Sequence, residues 1–532
     1  MTIGEKITTL RLKANLSIEE FANKLYVSRQ AVSSWESNQQ FPQIDKIIHI
    51  CNFFKISTDD LLLDKKEITP PNNKKNKYFG TDGYRGEANV NLTSINAYKI
   101  GRFLGWYYSK QSPTTKPRIV IGKDTRRSSY MIEYSIVAGL TASGADVYML
   151  HVTTTPSVSY VTRQDGFDCG IMITASHNPF YDNGIKIINK FGEKLDDDTT
   201  VLIESYLDGD LIALGISNND LPLATKDRLG LIVDYTSGRN RYVGYLISIA
   251  SHSYKNLRIG LDCANGASWT IAKSVFSALG AQVEVIGAEP NGLNINENYG
   301  STHIEKLCKL VKEKHLDLGF AFDGDADRCI AVDDTGKVVD GDAMLYILAK
   351  RLKDRGMLNN NTLVATVMSN SGFISSLEKI GISCIQTKVG DRFVYEYMQK
   401  QDYSLGGEQS GHIIIKKYAT TGDGILTAIM LTEEILDNKS TLSELKAPVK
   451  LYPQYLKNVK VKDKKAVLIN QKILNAKQVI ENKLNNNGRV LLRESGTEPL
   501  IRIMVEAETM DLAVLYANEI ADAISMEGFA IE

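Results

Sequence analysis

Residues 118–152 read RIVIGKDTRRSSYMIEYSIVAGLTASGADVYMLHV. The two ends, "RIVIG" (118–122) and "DVYMLHV" (146–152), are short apolar runs of buried-strand length. The stretch near 128–142 spaces its apolar residues as an amphipathic helix does. A strand, a helix and a second strand make one unit of a parallel sheet with helices on its faces. "CGIMITA" (169–175) extends that unit. The rhythm restarts at "RIGLDCANG" (258–266), "VEVIG" (283–287) and "LGFAFDG" (318–324). It restarts once more at "TLVATVMSN" (362–370) and "CIQTKVG" (384–390), giving three α/β units. The end differs: a helix near 466–484, the strands "RVLLRES" and "LIRIMVEAE", then a helix from Met510 predict a smaller α+β domain.

The first 63 residues carry helical signals only. Ile3, Ile7, Leu10 and Ala14 share one face; Ser17 and Glu20 form a capping box; Ser28 opens "RQAVSSWE"; "IDKIIHICNFF" and "STDDLLL" follow. A tight connection at residues 26 and 27 completes five short helices. The segment resembles the phage-repressor-type (XRE/Cro-like) helix-turn-helix, through "SRQAVSSWE" above all. The resemblance implies a third helix in the DNA major groove, with Ser28, Arg29, Gln30, Ser33 and Ser34 as the contact candidates. Residues 64–77, "DKKEITPPNNKKNK", bury little and predict a flexible linker.

The chain has 532 residues, 43% of them apolar, and a formal net charge of −1. That length predicts roughly three to five domains, and the balance excludes a strongly basic nucleic-acid coat. Six scattered cysteines show no metal-site spacing and make no disulfide framework. No signal-like or membrane-length apolar run stands out, so a cytoplasmic protein that meets no membrane is expected.

Several loops carry chemistry. "DGDADR" (323–328) follows a strand and sets Asp323, Asp325 and Asp327 at alternate positions, where they can converge on one hard cation such as Mg²⁺. An EF-hand would need Gly at position 6 and Glu at position 12, where Arg328 and Asp334 stand. A plain acidic loop is the other reading. "RESGTEPLIR" (493–502) offers hydroxyls and backbone N–H groups between two arginines, a nest for an anion or an ordinary turn. "GGEQSGHI" (406–413) mixes donors and acceptors as a polyhydroxylated ligand requires, or is a glycine turn. Arg85 in "YFGTDGYRG", and Lys388 and Arg392 in "TKVGDR", could clamp anions or make surface ion pairs. "TASHNPFYDNGIKI" (174–187) sets Ser176 beside His177 without the glycine elbow of an acyl-transfer serine.

Together these stretches, in this order, resemble the α-D-phosphohexomutase family across residues 78–532. "NIN…YGSTH" and "ATTGDGILTA" look most like its phosphoglucosamine branch. The resemblance implies an all-α helix-turn-helix domain (1–63) and linker (64–77), then a four-domain α/β phosphohexomutase. Its domains run 78–232, 233–335, 336–447 and 448–532: three α/β domains with mixed sheets, then an α+β domain. It implies interconversion of glucosamine 6-phosphate and glucosamine 1-phosphate, with glucose or mannose phosphates as the alternative. A regulator that senses sugar phosphate at DNA is a further alternative. It implies a phosphoserine at Ser176, Mg²⁺ on Ser176, Asp323, Asp325 and Asp327, and a hexose or hexosamine 1,6-bisphosphate as primer and intermediate. Lys186 and His412 become proton-transfer candidates, with Arg85 a catalytic residue nearby, and Arg328 the group on the transferring phosphoryl. His177, Lys388, Arg392, Glu408 and Ser410 become substrate contacts; Arg493, Ser495, Gly496, Thr497 and Arg502 hold the phosphate that is not reacting. A homodimer is expected. Tyr84, Ala326 and Glu494 depart from the residues usual in the phosphoglucosamine branch, and none removes a chemical group.

Overall fold

The computed structural model describes residues 2–14, 16–54, 56, 58, 61, 77–111, 115–216, 220–485, 487–495 and 499–531. It divides into two compact units, residues 1–72 with 210–219, and residues 73–209 with 220–532.

The first unit is helical. Helices Ile3–Lys13, Ile18–Lys24, Arg29–Glu36 and Ile44–Phe54 pack around Ile7, Phe21, Leu25, Val32, Trp35 and Ile50. Thr2 with Glu5, and Ser17 with Glu20, close capping boxes at the first two helices. Tyr26 takes φ +55°, which lets the chain turn sharply between the second and third helices. Arg11 and Glu36 form a half-buried ion pair at 2.6 Å. Arg29, Gln30 and Ser33 are exposed on the third helix, whereas Ser34 is partly buried. The Ser28 hydroxyl accepts from the Ala31 N–H at 3.1 Å, so it serves as the helix cap. The expected fifth helix and the linker fall almost entirely outside the described residues.

The second unit holds four sheets. The seven-stranded sheet runs Phe79–Gly80, Gly83–Glu87, Asp182–Asn189, Cys169–Ile173, Arg118–Lys123, Asp146–Val152, Ile232–Asp234. The five-stranded sheet runs Val338–Val339, Cys329–Val332, Leu318–Phe322, Arg258–Asp262, Gln282–Ile286. Four strands follow in the third, Ser383–Thr387, Thr362–Thr366, Leu405–Gly407 and Ile413–Ile415. The last is antiparallel: Gln454–Lys460, Leu500–Glu506, Arg489–Glu494. Central strands such as Cys169–Ile173, Leu318–Phe322 and Thr362–Thr366 are buried throughout, because helices cover both faces. That burial is why they read as unbroken apolar runs.

The strand–helix rhythm accounts for the parallel centres. It does not show the antiparallel partners added to them: Asp182–Asn189 beside Cys169–Ile173, Cys329–Val332 beside Leu318–Phe322, and Ile413–Ile415 beside Leu405–Gly407. These pairs make each of the first three sheets mixed and create hairpin turns at 174–181, 323–328 and 408–412. The helix expected near 466–484 is two, Lys464–Ile469 and Gln471–Leu484, because Asn470 takes an extended conformation and caps the second.

Candidate active site

Each hairpin turn presents one of the chemical stretches. In the first, Ser176 is buried and takes φ +52°. Such a conformation persists in a non-glycine residue only where its surroundings over-determine it. Here they do. The Ser176 N–H donates to Thr174 Oγ1 at 2.9 Å. Its carbonyl accepts from Arg126 Nη2 at 3.0 Å and Asn296 Nδ2 at 2.8 Å. Arg126 is fully buried and spends all five N–H donors on Asp124 and the carbonyls of Ser176, Asn178, Pro179 and Asp182. The serine loop is thus wrapped around one guanidinium.

Ser176 Oγ donates to Asp323 Oδ2 at 2.6 Å. The His177 ring nitrogen is farther, at 3.4 Å. Burial, with Arg328 and Arg85 nearby, pushes His177 down to about 4, so its ring is neutral near pH 7. His177 Nδ1 also lies 3.3 Å from Arg328 Nη1.

Asp323, Asp325 and Asp327 are buried and bring carboxylate oxygens within 4.8 Å of one another. Burial, then Asp327 and Asp325, push Asp323 well above the usual carboxylate range. Asp325 Oδ1 and Asp327 Oδ1 are buried without a hydrogen-bond partner. Buried acceptors left unmatched are costly, and these two, converging with the Asp323 carboxylate, fit a small divalent cation that takes oxygen ligands. Ala326 sits between them at φ +55°. Glycine would take that conformation at lower cost, which is the physical meaning of the departure at this position. The Asp325 carboxylate also accepts from Thr155 Oγ1, and its backbone carbonyl accepts from the Thr155 N–H at 3.0 Å.

Lys186 Nζ lies 2.8 Å from Asp325, 3.0 Å from Asp327 and 3.1 Å from Asp82. Burial disfavours its charge, but the three carboxylates outweigh burial and raise its pKa well above the ordinary value. A base at this position would need the opposite shift; in this state Lys186 is a cation. Arg85 Nη2 pairs with Asp82. Burial works against the charge of Asp327, yet Lys186 and His412 hold it well below the usual range. His412 stands 3.8 Å from Asp327 and 3.5 Å from Asp391, and its Nε2 accepts from the Gly422 N–H at 3.0 Å. Ser176, the three aspartates, Lys186 and His412 are therefore one buried cluster, with Arg85, Arg328 and His177 half-buried at its edge.

The remaining candidates divide. Glu408 Oε1 accepts from the Gly390 N–H at 3.0 Å, and Ser410 Oγ is buried without a partner. Lys388 is exposed. Arg392 turns to Asp197, with Nη2 at 2.8 Å, and to Glu396 at 2.6 Å. Arg493 and Arg502 face each other across the antiparallel strands. Like charges directly opposite repel, and an anion held between them removes the repulsion. Burial and Arg502 lower the Arg493 pKa. Ser495 is buried at the end of this strand; Gly496 and Thr497 lie outside the described residues.

Sequence reading missed six contributors: Asp82, Arg126, Thr155, Lys194, Asn296 and Asp391. Asp82 and Asp391 lie inside stretches already singled out, beside Arg85 and Arg392. Asn296 lies in the 290–303 stretch, whose asparagines read as turns. Arg126, Thr155 and Lys194 carry no local signal, because their partners come from distant segments.

Ser176 against a buried aspartate triad, carried on three α/β domains and one α+β domain, is the arrangement expected of a phosphohexomutase. Known proteins agree. The profiles of phosphoglucomutase/phosphomannomutase α/β/α domains I, II and III match residues 76–211, 240–336 and 340–452, and that of the C-terminal domain matches 456–523. A helix-turn-helix profile matches residues 7–61. The chain belongs to the phosphoglucomutase/phosphomannomutase family and is a mutase, with a helix-turn-helix module at its N-terminus. It is 57% identical over 455 residues to the phosphoglucosamine mutase of Lachnospira eligens, covering 86% of this chain and 100% of that one. Against the phosphoglucosamine mutase of Bacillus anthracis it is 47% identical over 451 residues, 85% of this chain and 99% of that one. The fold is that of a phosphoglucomutase/phosphomannomutase family protein of Burkholderia thailandensis, with TM-score 0.69, 21% identity, and coverage of 86% and 100%. It is also that of Aspergillus fumigatus N-acetylphosphoglucosamine mutase, crystallised with GlcNAc-6P and magnesium, with TM-score 0.60, 16% identity, and coverage of 84% and 96%.

Proposed function

We propose that this chain interconverts glucosamine 6-phosphate and glucosamine 1-phosphate, as a cytoplasmic step toward UDP-N-acetylglucosamine, with Ser176 as the phosphoryl carrier. The observation that carries this reading is Ser176 Oγ at 2.6 Å from a buried aspartate triad with two unmatched oxygens. Identity to phosphoglucosamine mutases across the catalytic region supports the hexosamine.

Phospho-Ser176 loses its phosphoryl group to a hydroxyl of the bound sugar phosphate: the Oγ–P bond breaks, a P–O(sugar) bond forms, and the hydroxyl proton passes to the protein. The resulting 1,6-bisphosphate turns around, and its other phosphate returns to Ser176. Asp323, Asp325, Asp327 and a Ser176 oxygen would hold Mg²⁺. Bound there, it would supply positive charge against the phosphoserine's charge of about −1.5 to −2 and against the serine oxygen as leaving group. Arg328 and Arg85 neutralise charge on the transferring oxygens. His412 would accept the proton of the sugar hydroxyl, and Lys186, protonated among its carboxylates, would act as the proton donor. Neutral His177 orients the serine loop. Glu408 and Ser410 hold sugar hydroxyls, and Arg493 and Arg502 grip the distal phosphate in either orientation. Arg392 lines the cavity that Lys194 and His412 also line, and it and Lys388 are proposed as substrate contacts there.

The helix-turn-helix module supports a second role, DNA binding through Arg29, Gln30 and Ser33. Residues 1–63 hold seven Lys or Arg and seven Asp or Glu. Non-specific affinity, which rests on net phosphate neutralisation, is therefore expected to be low, and a homodimer binding two half-sites is the arrangement proposed. Among the described residues no helix is long and apolar enough to cross a membrane.

A coupled assay with Mg²⁺ and glucosamine 1,6-bisphosphate, comparing glucosamine, glucose and mannose phosphates, tests the reaction. Turnover highest on glucosamine phosphate and lost in Ser176→Ala is expected. Equal turnover in Ser176→Ala would remove the phosphoserine mechanism, and preference for another hexose would reassign the substrate. Turnover on none of them would favour a sensor.

A further inference from the structure

The structure assigns Lys194 a positioning role: it clasps the first α/β domain to the third and aims the charged groups beside Ser176. Its ammonium lies 2.8 Å from Asp82 Oδ1 and 2.6 Å from Asp391 Oδ2, and donates to the Thr81 carbonyl at 3.2 Å. Two of these contacts are ion pairs, and the third is a hydrogen bond to backbone. Asp82 belongs to the segment that bears Arg85, and its other oxygen faces Lys186 at 3.1 Å and Arg85. Asp391 starts the helix Asp391–Gln401 of the third domain and stands 3.5 Å from His412. One ammonium thus joins the groups around Lys186 on one domain to those around His412 on the other. Without it, two carboxylates would face each other across the domain boundary with no cation between them.

The location fits a clasp rather than a contact with substrate. Lys194 borders a cavity of about 630 Å³, also lined by Asp391, Arg392 and His412. The Arg392–Asp197 pair lies on its wall and ties the same two domains. Displacing a catalytic group by about 1 Å can cost on the order of 100-fold in rate, so a loosened clasp is a kinetic event before it is a stability event.

This inference rests on the proposed mutase reaction, and the test separates the two. Lys194→Met, Lys194→Arg and Asp391→Asn are compared with wild type by kcat and KM on glucosamine 6-phosphate, by melting temperature, and by hydrogen exchange of segments 81–87 and 391–401. The expected result has three parts. In Lys194→Met, kcat falls at least about tenfold; exchange rises in both segments; and melting falls without the variant unfolding at the assay temperature. Lys194→Arg recovers part of the rate, and Asp391→Asn, which keeps Lys194 but breaks the tie, repeats the rise in exchange. Wild-type exchange in Lys194→Met overturns the clasp, and raised exchange with unchanged kcat overturns its positioning role. If wild type itself turns over no hexosamine phosphate, the mutase reading fails while the exchange comparison still decides the clasp.

Discussion

Asp342 offers a pH experiment whose size follows from the structure. It lies in the first turn of helix Gly341–Asp354, fully buried. Its Oδ2 accepts from the Asn370 N–H at 2.7 Å, and its Oδ1 has no partner. Asn370 in turn holds Tyr452 through the Tyr452 N–H at 3.0 Å and the Tyr452 carbonyl at 2.8 Å, which joins the third domain to the segment entering the last. Burial, with Asp340 close by, pushes Asp342 from the ordinary 3.8 to about 8. An acid whose pKa rises on folding binds its proton more tightly in the native state. Its contribution is complete below about 4, shrinks as pH rises, and is gone above about 8. At about 1.4 kcal/mol per pH unit, that interval is worth on the order of 6 kcal/mol. Asp342→Asn keeps an acceptor for the Asn370 N–H and removes the titration. Relative to their separation near pH 5, the variant should melt on the order of 10 °C above wild type near pH 8.5. Thermal melts of both proteins across that range are the assay. Parallel melting temperatures would refute the reasoning, because they would mean the carboxyl ionises in the native state as freely as in the unfolded chain.

Other perturbations have defined outcomes. Gly411 takes φ +88°, and a Cβ there would stand 2.0 Å from the Cys329 carbonyl oxygen; Gly411→Ala should cost about 3 kcal/mol or more and remove turnover, read by melting and kcat/KM. Arg11→Met leaves Glu36 half-buried and unpaired, so the helical module should lose about 3 kcal/mol while mutase turnover is unchanged, checked by limited proteolysis beside the activity assay. Arg493→Ala should lower kcat/KM on the order of 100-fold through lost grip on the distal phosphate; a change below about twofold would move that phosphate elsewhere. Mg²⁺ should raise the melting temperature of wild type and leave that of Asp325→Asn unmoved, and a chelator should stop turnover.

Local sequence determined a good deal. Capping boxes at Thr2–Glu5 and Ser17–Glu20 need only residues three apart, and the first two helices begin where they say. Central strands such as Leu318–Phe322 are buried on both faces, so their apolar runs are legible without partners. Ser176, the aspartates of 323–328 and the arginines of 493–502 were visible because each stretch concentrates one kind of chemistry. What tertiary structure decided is which of these meet, and in what charge state. The antiparallel strand Asp182–Asn189 carries Lys186 but follows a loop-like stretch, so nothing local marks it as a strand; pairing with Cys169–Ile173 makes it one. A lysine in sequence is open to being base, acid or clasp. Lys186 becomes a cation because Asp82, Asp325 and Asp327 arrive from two other segments, and Lys194 becomes a clasp because Asp391 arrives from a third. Arg392 reads as an anion clamp until Asp197, nearly two hundred residues away, takes its guanidinium. Electrostatic identity depends on distance in space, and the sequence specifies only distance along the chain.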